Sequence, residues 1–387
     1  MNVFLIGLPG CGKTTIGRKL AELLGRQFID LDESIEHEEK MTISEIFLTF
    51  GEPHFRKLEC AALNKYSQVS DAIIATGGGI VKTSGNVETL RERGTVVFLD
   101  RVPDEQNVDW SNRPARAPMP QLVKERRPLY LSAADLVFPL GSDFCVIGDP
   151  IGHTLSPSLH SSILKSLGIS AIYGQSKVSI QSLPLFAQLA RVSGMRGFNV
   201  TIPHKKHIIP LLDCISDDAQ NAEAVNTVRV FDGKLYGYNT DMAGLSMAIH
   251  ARNNGLGYKG MHILLLGDGG AASGILYKAK AENAAKITVA SRKNGGIVNA
   301  QIVAKIEDFD LVINATPLGM SGFDHDFTDF GFLDKLPSKA LIYDLIYNPL
   351  ETQLLREAKK RNLKTLNGLA MLTAQALLAD AIFLEER

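Results

Sequence analysis

The chain has 387 residues, which is long for one hydrophobic core and predicts about two or three domains. Its hydrophobic fraction of 45%, charged fraction of 21% and net charge of −1 are typical of globular proteins and give no overall attraction to nucleic acid or an anionic membrane. The cysteines are scattered, no signal peptide is evident, and no stretch reaches the roughly 18 apolar residues of a membrane span, so we expect a cytoplasmic protein.

Strand-like apolar runs alternate with helical patterns along the whole chain. This alternation predicts α/β layering with mainly parallel sheets. The first unit closes near Leu136–Phe138, and a second series begins at Phe144 after the short connection Pro139–Asp143. A third strand-to-helix start appears at His262. Because the connection near residue 140 is short, we expect no flexible tether there.

A phosphate-binding loop lies near the N-terminus. Gly7–Thr14 fits the pattern GxxxxGK[ST], after a strand at Val3–Ile6 and before an amphipathic helix. Its glycines let backbone N–H groups surround phosphates, Lys13 can reach the β- and γ-phosphates, and the Thr14 hydroxyl can bind Mg²⁺. A glycine-rich turn with a surface lysine is the alternative, and the complete motif argues against it. The predicted nucleotide-binding residues are Gly10, Cys11, Gly12, Lys13, Thr14 and Thr15.

The segments that follow indicate the phosphate acceptor. Phe28–Asp32 predicts a strand that ends in two carboxylates, Asp30 and Asp32, on the same side at i and i+2. One carboxylate can hold the water shell of Mg²⁺ while the other faces an incoming hydroxyl. Arg56 then supplies a guanidinium, and Gly77–Gly79 permits close approach of the backbone.

Together with Arg113-Pro114 and Arg126–Tyr130, these segments resemble the shikimate kinase family. The resemblance implies that Lys13 acts in catalysis, that Thr14 and Asp30 serve Mg²⁺, and that Asp32 binds the acceptor and takes its hydroxyl proton. The other residues that it implies are Arg56 and Arg126 for the shikimate carboxylate, Gly78 for a backbone contact with shikimate, and Arg113 over the nucleotide.

The first unit departs from this family in two places. The region between Asp100 and Arg113 is short, and after Ala133–Asp135 the chain passes almost at once into the next domain. Family members usually continue through a loop and a C-terminal helix that help to hold adenine. Three readings stay open at this point: weak ATP binding, contacts borrowed from the neighbouring domain, or an impaired kinase.

Four later segments place polar groups at the ends of strand-like runs, where α/β folds keep their chemistry. They span residues 147–160, 197–205, 224–227 and 237–241, and offer hydroxyls, amides, one ammonium and one carboxylate, which suit a small polyhydroxy acid. All four resemble shikimate dehydrogenase. The shikimate ligands that the resemblance implies are Thr154, Ser156, Thr201, Asn226 and Asp241.

The resemblance also implies that Lys205 is the catalytic acid/base, with Asp241 as its catalytic partner. General acid/base catalysis is typically worth about 10²–10⁴ in rate. Alternatively, Lys205 and Lys206 form a solvated pair beside Pro203, a reading that the four-segment pattern disfavours. The histidines of this region have no carboxylate or cysteine at ligand spacing, so we reject a metal site.

A dinucleotide-binding fingerprint follows in the third part of the chain. His262–Leu266 predicts a buried strand before a glycine-rich turn, and a second strand follows at Ile287–Ala290. The basic pair Arg292-Lys293 then favours the 2′-phosphate of NADP over a ribose hydroxyl. Asp268 is unexpected, since a carboxylate repels a pyrophosphate unless it points away. The predicted NADP-binding residues are Gly267, Asp268, Gly269, Gly270, Ala271, Ser291 and Arg292.

Three downstream segments complete the dehydrogenase resemblance. They are Asn314–Met320, Asp344–Pro349 and Asn367–Leu372. The resemblance implies that Tyr347 and Gln375 contact the substrate and that Gly368 binds on the nicotinamide side of NADP. We expect the last helix to pack back on the substrate-binding domain.

The sequence thus predicts a P-loop kinase domain with a three-layer parallel α/β sheet at 1–140, followed by a two-domain dehydrogenase. The latter comprises an α/β substrate-binding domain at 143–257 plus 368–387 and an NADP-binding Rossmann domain at 258–367. The predicted function is bifunctional: NADPH-dependent reduction of 3-dehydroshikimate and ATP/Mg²⁺-dependent phosphorylation of shikimate. The partners are small-molecule substrates, with neither nucleic acid nor membrane; the oligomeric state stays open, a homodimer being one option.

Two alternatives remain at this stage. In the first, only the dehydrogenase turns over and the truncated kinase is vestigial or regulatory. In the second, both sites bind metabolites and neither reacts. The presence of Lys13, Asp32, Lys205 and Asp241 argues against the second alternative.

Overall fold

The computed structural model divides the chain into two compact units. The described residues are 1–104, 118–152, 154–252, 255, 257–291 and 306–385. The first unit spans residues 1–238 and the second residues 239–386. Among the described helices, none combines the length and the apolar character that crossing a membrane requires.

The first part of the first unit is a five-stranded parallel sheet with five helices. Its strands are β1 (Asn2–Ile6), β2 (Gln27–Asp30), β3 (Ala72–Ala75), β4 (Gly94–Leu99) and β5 (Leu136–Phe138). Its helices are α1 (Lys13–Leu24), α2 (Leu31–Glu39), α3 (Ile43–Tyr66), α4 (Ser84–Arg93) and α5 (Met119–Ala133). The sheet order is β2-β3-β1-β4-β5, and each neighbouring pair is parallel. All residues of β1 and β3 are buried, as the continuous apolar runs of a parallel sheet require, and the predicted α/β architecture is confirmed here.

Helix α3 shows how local sequence orients a side chain of the acceptor site. Thr42 and Glu45 cap its start reciprocally, each side chain accepting the other's backbone N–H. Gly51 then has φ 80° and ψ 171°, outside the helical region, and Pro53 follows without an N–H to donate. The helix therefore bends at this point, and the turn after the bend carries Arg56.

The second part of the first unit is a mixed six-stranded sheet. Its strands are β6 (Phe144–Gly148), β7 (Tyr173–Lys177), β8 (Gly197–Val200), β9 (Cys214–Ile215), β10 (Thr227–Phe231) and β11 (Lys234–Tyr238). Its helices are α6 (Ser156–Ser166), α7 (Leu183–Ser193), α8 (His204–His207) and α9 (Asp217–Ala222). The order is β7-β6-β8-β10-β11-β9, with β10 antiparallel to β8 and β11. Asp232 and Gly233, both at positive φ, form the two-residue turn of the β10–β11 hairpin.

The two sheets of the first unit share one hydrophobic core. One cluster of buried side chains runs without interruption from β1 and α1 to α7, β8 and β10. Phe138 of β5 and Phe186 of α7 have ring centroids 5.2 Å apart, and Phe186 also contacts Phe198 of β8. The expected absence of a flexible tether is consistent with this shared core.

The second unit contains a five-stranded parallel sheet. Its strands are β12 (His262–Leu266), β13 (Lys286–Ala290), β14 (Leu311–Asn314), β15 (Leu341–Asp344) and β16 (Lys364–Leu366). Its helices are α10 (Asp241–Arg252), α11 (Gly270–Ala281), α12 (Gln353–Lys360) and α13 (Gly368–Leu384). The order β13-β12-β14-β15-β16 and the parallel pairing fit the predicted Rossmann architecture.

Helix α10 packs closely against the C-terminal helix α13. A Cβ atom on Gly244 would lie 2.7 Å from the Gln375 backbone nitrogen, so only glycine allows this approach. The sequence assigned both helices to the substrate-binding domain, and the compact second unit includes both. The three domain limits themselves stay a prediction.

Candidate active sites

The phosphate loop joins β1 to α1 in the geometry that its sequence predicts. Gly10 and Gly12 have φ values of 76° and 109°, which side chains rarely adopt, and Gly12 is the N-cap of α1. Lys13 is buried, and its Nζ donates to the carbonyl oxygens of Gly7 at 3.0 Å and Leu8 at 2.9 Å. The loop therefore holds an ammonium group and a helix N-terminus together, both of which favour phosphate.

Asp30 and Thr14 form a second polar pair beside the loop. The Thr14 hydroxyl donates to Asp30 Oδ2 at 2.7 Å, while Asp30 Oδ1 accepts the Asp32 backbone N–H at 3.0 Å. Asp30 is thus the N-cap of α2, and Asp32 lies in the first turn of that helix. The predicted placement of both carboxylates on one strand is therefore wrong, because the capping bond ends β2 at Asp30. Both side chains nevertheless line the same cavity.

That cavity, of about 490 Å³, is the acceptor cavity. The predicted shikimate ligands of the kinase and the two predicted magnesium ligands meet there. Its lining includes Thr14, Asp30, Asp32, Arg56, Gly78 and Arg126. Arg113 lies outside the described residues. The structure therefore brings together candidates that are up to 112 positions apart in the chain, Thr14 and Arg126 being the two extremes.

Arg56 is held between two carboxylates in the acceptor cavity. Its Nη1 contacts Glu59 Oε2 at 2.8 Å, and its Nη2 contacts Glu52 Oε1 at 2.9 Å. Burial acts to lower the pKa of Arg56, but the Glu59 and Glu52 carboxylates outweigh burial and raise it. Hydrogen bonds from Lys82 and Arg56 lower the pKa of Glu52 to about 2. Burial raises the pKa of Glu59, against the opposing effect of Arg56.

Arg126 lies beside the triple glycine. Its Nη1 donates to the Gly78 carbonyl oxygen at 2.9 Å, and the Tyr130 hydroxyl donates to the same oxygen. The Arg126 Nε is buried and has no acceptor among the described residues, so this donor remains available for an anion. A Cβ atom on Gly79 would lie 2.2 Å from Arg56 Nη1, so a larger residue here would displace the Arg56 guanidinium.

Sequence reasoning missed four residues of this site: Glu52, Glu59, Lys82 and Tyr130. Three of them lie three or four positions from a predicted arginine, which is the spacing of neighbours on one face of a helix. Glu52 and Glu59 lie four residues before and three residues after Arg56, and Tyr130 lies four residues after Arg126. Lys82 has no such signal, since it reaches Glu52 at 2.9 Å from a separate segment.

A second group of polar side chains surrounds the carboxyl ends of β6 and β8. The Thr154 hydroxyl donates to Ser156 Oγ at 3.1 Å at the start of α6, so the two predicted hydroxyls are neighbours. Thr201 directly follows β8, and its backbone N–H donates to the Ile147 carbonyl at 2.9 Å. Asn226 is buried at the start of β10. These residues all belong to the first unit.

Lys205 lies on the short helix α8 of the first unit. Its backbone carbonyl accepts the Val225 N–H at 2.8 Å, which fixes α8 next to the segment that carries Asn226. Lys205 is half-buried, whereas Lys206 is exposed and pairs with Glu223 at 3.4 Å. The two lysines therefore have different environments, in contrast to the solvated-pair alternative.

The histidines near α8 have structural roles. His204 is fully buried, and its Nε2 lies 2.6 Å from the Val178 carbonyl oxygen. His160 stacks on Tyr173 with ring centroids 4.3 Å apart. Among the described residues, no group of three or more His, Cys, Asp or Glu side chains could hold a metal ion.

In the second unit, Asp241 begins α10, and its N–H is capped by Asn239 Oδ1 at 3.0 Å. Gln375 of α13 is nearby, since the Thr240 hydroxyl lies 3.4 Å from Gln375 Oε1. Lys205 and Asp241 belong to different units, so their pairing stays a prediction.

The glycine-rich turn of the second unit joins β12 to α11. Gly267 has φ 108°, and a Cβ atom there would lie 3.0 Å from Thr316 Cγ2. Asp268 is exposed. Ser291 is buried directly after β13, and Arg292 lies outside the described residues.

A buried carboxyl organises the loops at the ends of β14 and β15. Asp344 accepts hydrogen bonds from Asn314 Nδ2 at 3.0 Å, Ile346 N at 3.1 Å and the Thr352 hydroxyl at 2.6 Å. Burial raises its pKa to about 6, although these hydrogen bonds oppose the shift. Asn314 Oδ1 in turn accepts the Thr316 hydroxyl at 2.6 Å. This hydrogen-bonded set, the Asp344 network, was not anticipated from the sequence.

Tyr347 and Gly368 adjoin the Asp344 network. Tyr347 follows Ile346, whose carbonyl accepts the Gly368 N–H at 3.0 Å. A Cβ atom on Gly368 would lie 2.0 Å from the Leu345 carbonyl oxygen, so α13 can begin here only with glycine. The structure therefore brings the predicted Tyr347 and Gly368 close together.

Comparisons with known proteins find two families in succession along the chain. The family description "Shikimate kinase" matches residues 9–141, and "Shikimate dehydrogenase substrate binding domain" matches residues 146–228. A shikimate dehydrogenase (NADP(+)) of Staphylococcus aureus strain Newman is 38% identical over 242 residues, which cover 60% of this chain and 88% of the relative.

Two solved structures are similar to the C-terminal part. One is a shikimate dehydrogenase in complex with NADP+, with 36% identity and a TM-score of 0.55, covering 62% of this chain and 89% of the other. The second is shikimate 5-dehydrogenase from Thermus thermophilus in complex with NADP(H) and shikimate. It has 32% identity and a TM-score of 0.52, covering 62% of this chain and 92% of the other.

Proposed function

Because this chain belongs to the shikimate dehydrogenase family and carries a shikimate kinase domain ahead of it, we propose that it catalyses two consecutive reactions on one metabolite. The dehydrogenase reduces the ketone of 3-dehydroshikimate to shikimate, and NADPH is oxidised to NADP+. The kinase transfers the γ-phosphoryl group of ATP to the hydroxyl so formed, which gives shikimate 3-phosphate and ADP.

In the kinase, we assign the carboxylate of shikimate to Arg56 and Arg126, because paired guanidinium groups suit a planar anion. The buried Nε of Arg126 supports this assignment. Asp32, which lines the same cavity, takes the acceptor hydroxyl proton, and the Gly78 backbone contacts the ring. Lys13 neutralises charge on the transferred phosphoryl group, the main requirement of this reaction.

The residues present fit a magnesium ion. Thr14 Oγ1 and Asp30 Oδ2 lie 2.7 Å apart beside the phosphate loop, and both are the hard oxygen ligands that Mg²⁺ prefers. When bound with ATP, the ion supplies charge neutralisation at the phosphates. We assign the remaining contacts with ATP to Gly10, Cys11, Gly12 and Thr15, and the covering role to Arg113.

In the dehydrogenase, we assign proton donation to Lys205. Its ammonium protonates the carbonyl oxygen as the ketone carbon is reduced, and Asp241 orients that ammonium. The half-buried position of Lys205, in contrast to the exposed Lys206, supports this role. The assigned ligands of the acid are Thr154, Ser156, Thr201, Asn226, Asp241, Tyr347 and Gln375.

The turn after β12 fits a dinucleotide. Gly267 has a positive φ and lies against Thr316, so glycine suits this tight turn, and the backbone N–H groups at the start of α11 can bind a pyrophosphate. When bound, NADPH supplies the hydride. We assign its binding to Gly267–Ala271 and Gly368, and its 2′-phosphate to Ser291 and Arg292.

We further propose the domain limits 1–140, 143–257 plus 368–387, and 258–367 for the three parts. A cytoplasmic location fits the use of ATP and NADPH and the four cysteines, which are free. Small-molecule substrates are the partners that the two sites require.

The observation that carries the bifunctional proposal is the acceptor cavity, where Arg56, Arg126 and Asp32 line the same space beside the phosphate loop. The test incubates the full chain with 3-dehydroshikimate, NADPH and MgATP and follows the products by mass. We expect shikimate first and shikimate 3-phosphate second. Lys13→Ala should stop the sequence at shikimate, and Lys205→Ala should prevent both products from 3-dehydroshikimate.

The same experiment separates the alternatives. Shikimate without ADP at micromolar enzyme would leave a dehydrogenase with a vestigial kinase. Binding of shikimate with no product in either reaction would indicate a metabolite-sensing module.

A further inference from the structure

The helix that carries the phosphate loop packs against the dehydrogenase part of the chain. Helix α1 contacts α7, which belongs to the mixed sheet. Next to this helix pair, the edge strand β5 of the kinase sheet lies beside the edge strand β7 of the mixed sheet. The Ser176 hydroxyl of β7 donates to the Val137 carbonyl of β5 at 2.5 Å. The contact therefore includes both helices and strands.

Aromatic side chains continue this contact into both cores. The Phe186 ring of α7 lies 5.2 Å from that of Phe138 in β5 and 5.2 Å from that of Phe198 in β8. All three rings are fully buried. Phe186 is thus packed on the kinase side and on the dehydrogenase side at once.

The connection between the sheets also supports the phosphate loop directly. Leu140 is buried, and its Cδ2 would lie 3.5 Å from a Cβ atom built on Gly12, the N-cap of α1. The next residue, Gly141, adjoins the Arg101 side chain at the end of β4. The short connection between the kinase and the dehydrogenase therefore packs beside the phosphate loop.

We infer that the kinase and the substrate-binding part of the dehydrogenase unfold as one cooperative unit, in which α7 and β7 serve as the packing partner of the phosphate-loop helix. Two domains with separate cores can open independently, whereas elements that share a continuous core stabilise one another against global opening. The core cluster of the first unit is continuous through α1, β5, α7 and β8. The inference rests on the proposed function only in naming the two parts kinase and dehydrogenase.

Hydrogen exchange of the full chain tests this inference without any ligand. Ile73→Val weakens β3 of the kinase sheet, a buried strand that is not next to the mixed sheet. Loss of one buried methyl group should speed exchange that requires global opening by between about twofold and tenfold. We expect the same factor for amides of β1 and of β8. Acceleration in β1 with no change in β8 would overturn the inference.

Ile313→Val is the matched control, because Ile313 is equally buried in a central strand of the second unit. It should speed amide exchange in β12 and should not change the exchange rates of amides in β1 and β8. A second arm adds MgADP at about 100 times its Kd, which should slow the same amides of β1 and β8 by about 100-fold. Slowing of β1 alone would contradict the inference.

The two arms separate the inference from the proposed kinase function. If Ile73→Val speeds both strands equally while MgADP slows neither, the cooperative unit stands and the nucleotide-binding assignment fails. If MgADP slows β1 and MgATP supports phosphorylation of shikimate, while β8 responds to neither Ile73→Val nor MgADP, the kinase assignment stands and the cooperative unit fails.

Discussion

The two regions that we assign to shikimate use different chemistry for one ligand. The acceptor cavity of the kinase is lined by charged groups, with Arg56 held between Glu52 and Glu59 and with Arg126 beside it. The polar side chains near β6 and β8 are instead neutral: Thr154, Ser156, Thr201 and Asn226. Lys205 lies on helix α8, next to the segment that carries Asn226.

This difference indicates what each reaction demands. Phosphoryl transfer brings a polyanion next to the acid, so we assign charge neutralisation at the phosphates to Lys13 and binding of the carboxylate to Arg56 and Arg126. Reduction of a ketone needs one proton at one oxygen, so neutral hydrogen bonds can orient the ring while a single ammonium supplies the proton. The two sites should therefore differ in how strongly they respond to single substitutions.

The largest expected effect is at Lys205. Lys205→Ala should lower the kcat of shikimate oxidation by about 10²–10⁴, because it removes the general acid/base. Phosphorylation of added shikimate should continue at its normal rate. Lys206→Ala is the matched control, since Lys206 is the exposed neighbour that pairs with Glu223. Equal losses from both substitutions would contradict the division of roles.

A smaller effect is expected at Arg126. Arg126→Lys keeps the charge but loses the planar fork, so the KM for shikimate in the kinase reaction should rise by about tenfold to a hundredfold. Dehydrogenase kinetics should not change. The control is Arg127→Lys, because Arg127 is the next residue and its partner is Asp100, at 2.7 Å. A KM that is unaffected by Arg126→Lys would remove Arg126 from the carboxylate site.

The sequence predicted the elements and motifs better than the bonds that connect them. The phosphate loop was identified because its function depends on local backbone geometry, which glycine spacing records directly. The position of Asp32 was predicted incorrectly because Asp30 caps α2, and the choice between one more strand residue and a helix start depends on a single side-chain hydrogen bond.

Other features depend on contacts between distant segments. Lys82 reaches Glu52 across 30 residues, and the Asp344 network joins the loops that follow β14 and β15 in the second unit. Neither has a periodic signal, because the strand order that brings these loops together is a property of the whole sheet. The shared core of the first unit was foreseen only as the absence of a tether.

The Asp344 network gives a prediction about pH on the dehydrogenase side. Burial raises the pKa of Asp344 to about 6, above its usual value of 3.8, so the folded chain binds this proton more tightly than the unfolded chain. The resulting stability is fully present below about pH 4 and is lost as the pH rises through about 6. We expect a loss of about 2–3 kcal/mol in the free energy of unfolding of the second unit.

Asp344→Asn should remove this dependence, since the amide cannot ionise and can still accept from Ile346 N and donate to Thr352. The measurement is denaturant unfolding of both proteins at several pH values between 4 and 7, followed by hydrogen exchange in β15. The difference between the two proteins isolates Asp344 from other carboxyl groups. A constant difference across this range would show that Asp344 does not titrate there.

The smallest expected effect is at Thr154, and it tests whether the neutral site works through single hydrogen bonds. Thr154→Ala should raise the KM for shikimate in the dehydrogenase reaction by about twofold to tenfold, the value of one neutral hydrogen bond of about 0.5–1.5 kcal/mol. Thr154→Ser keeps the hydroxyl that contacts Ser156 and should leave the KM within about twofold. A loss for Thr154→Ser as large as that for Thr154→Ala would mean that the methyl group matters and the hydroxyl does not. In that case packing, and not hydrogen bonding, would distinguish this site from the charged site of the kinase.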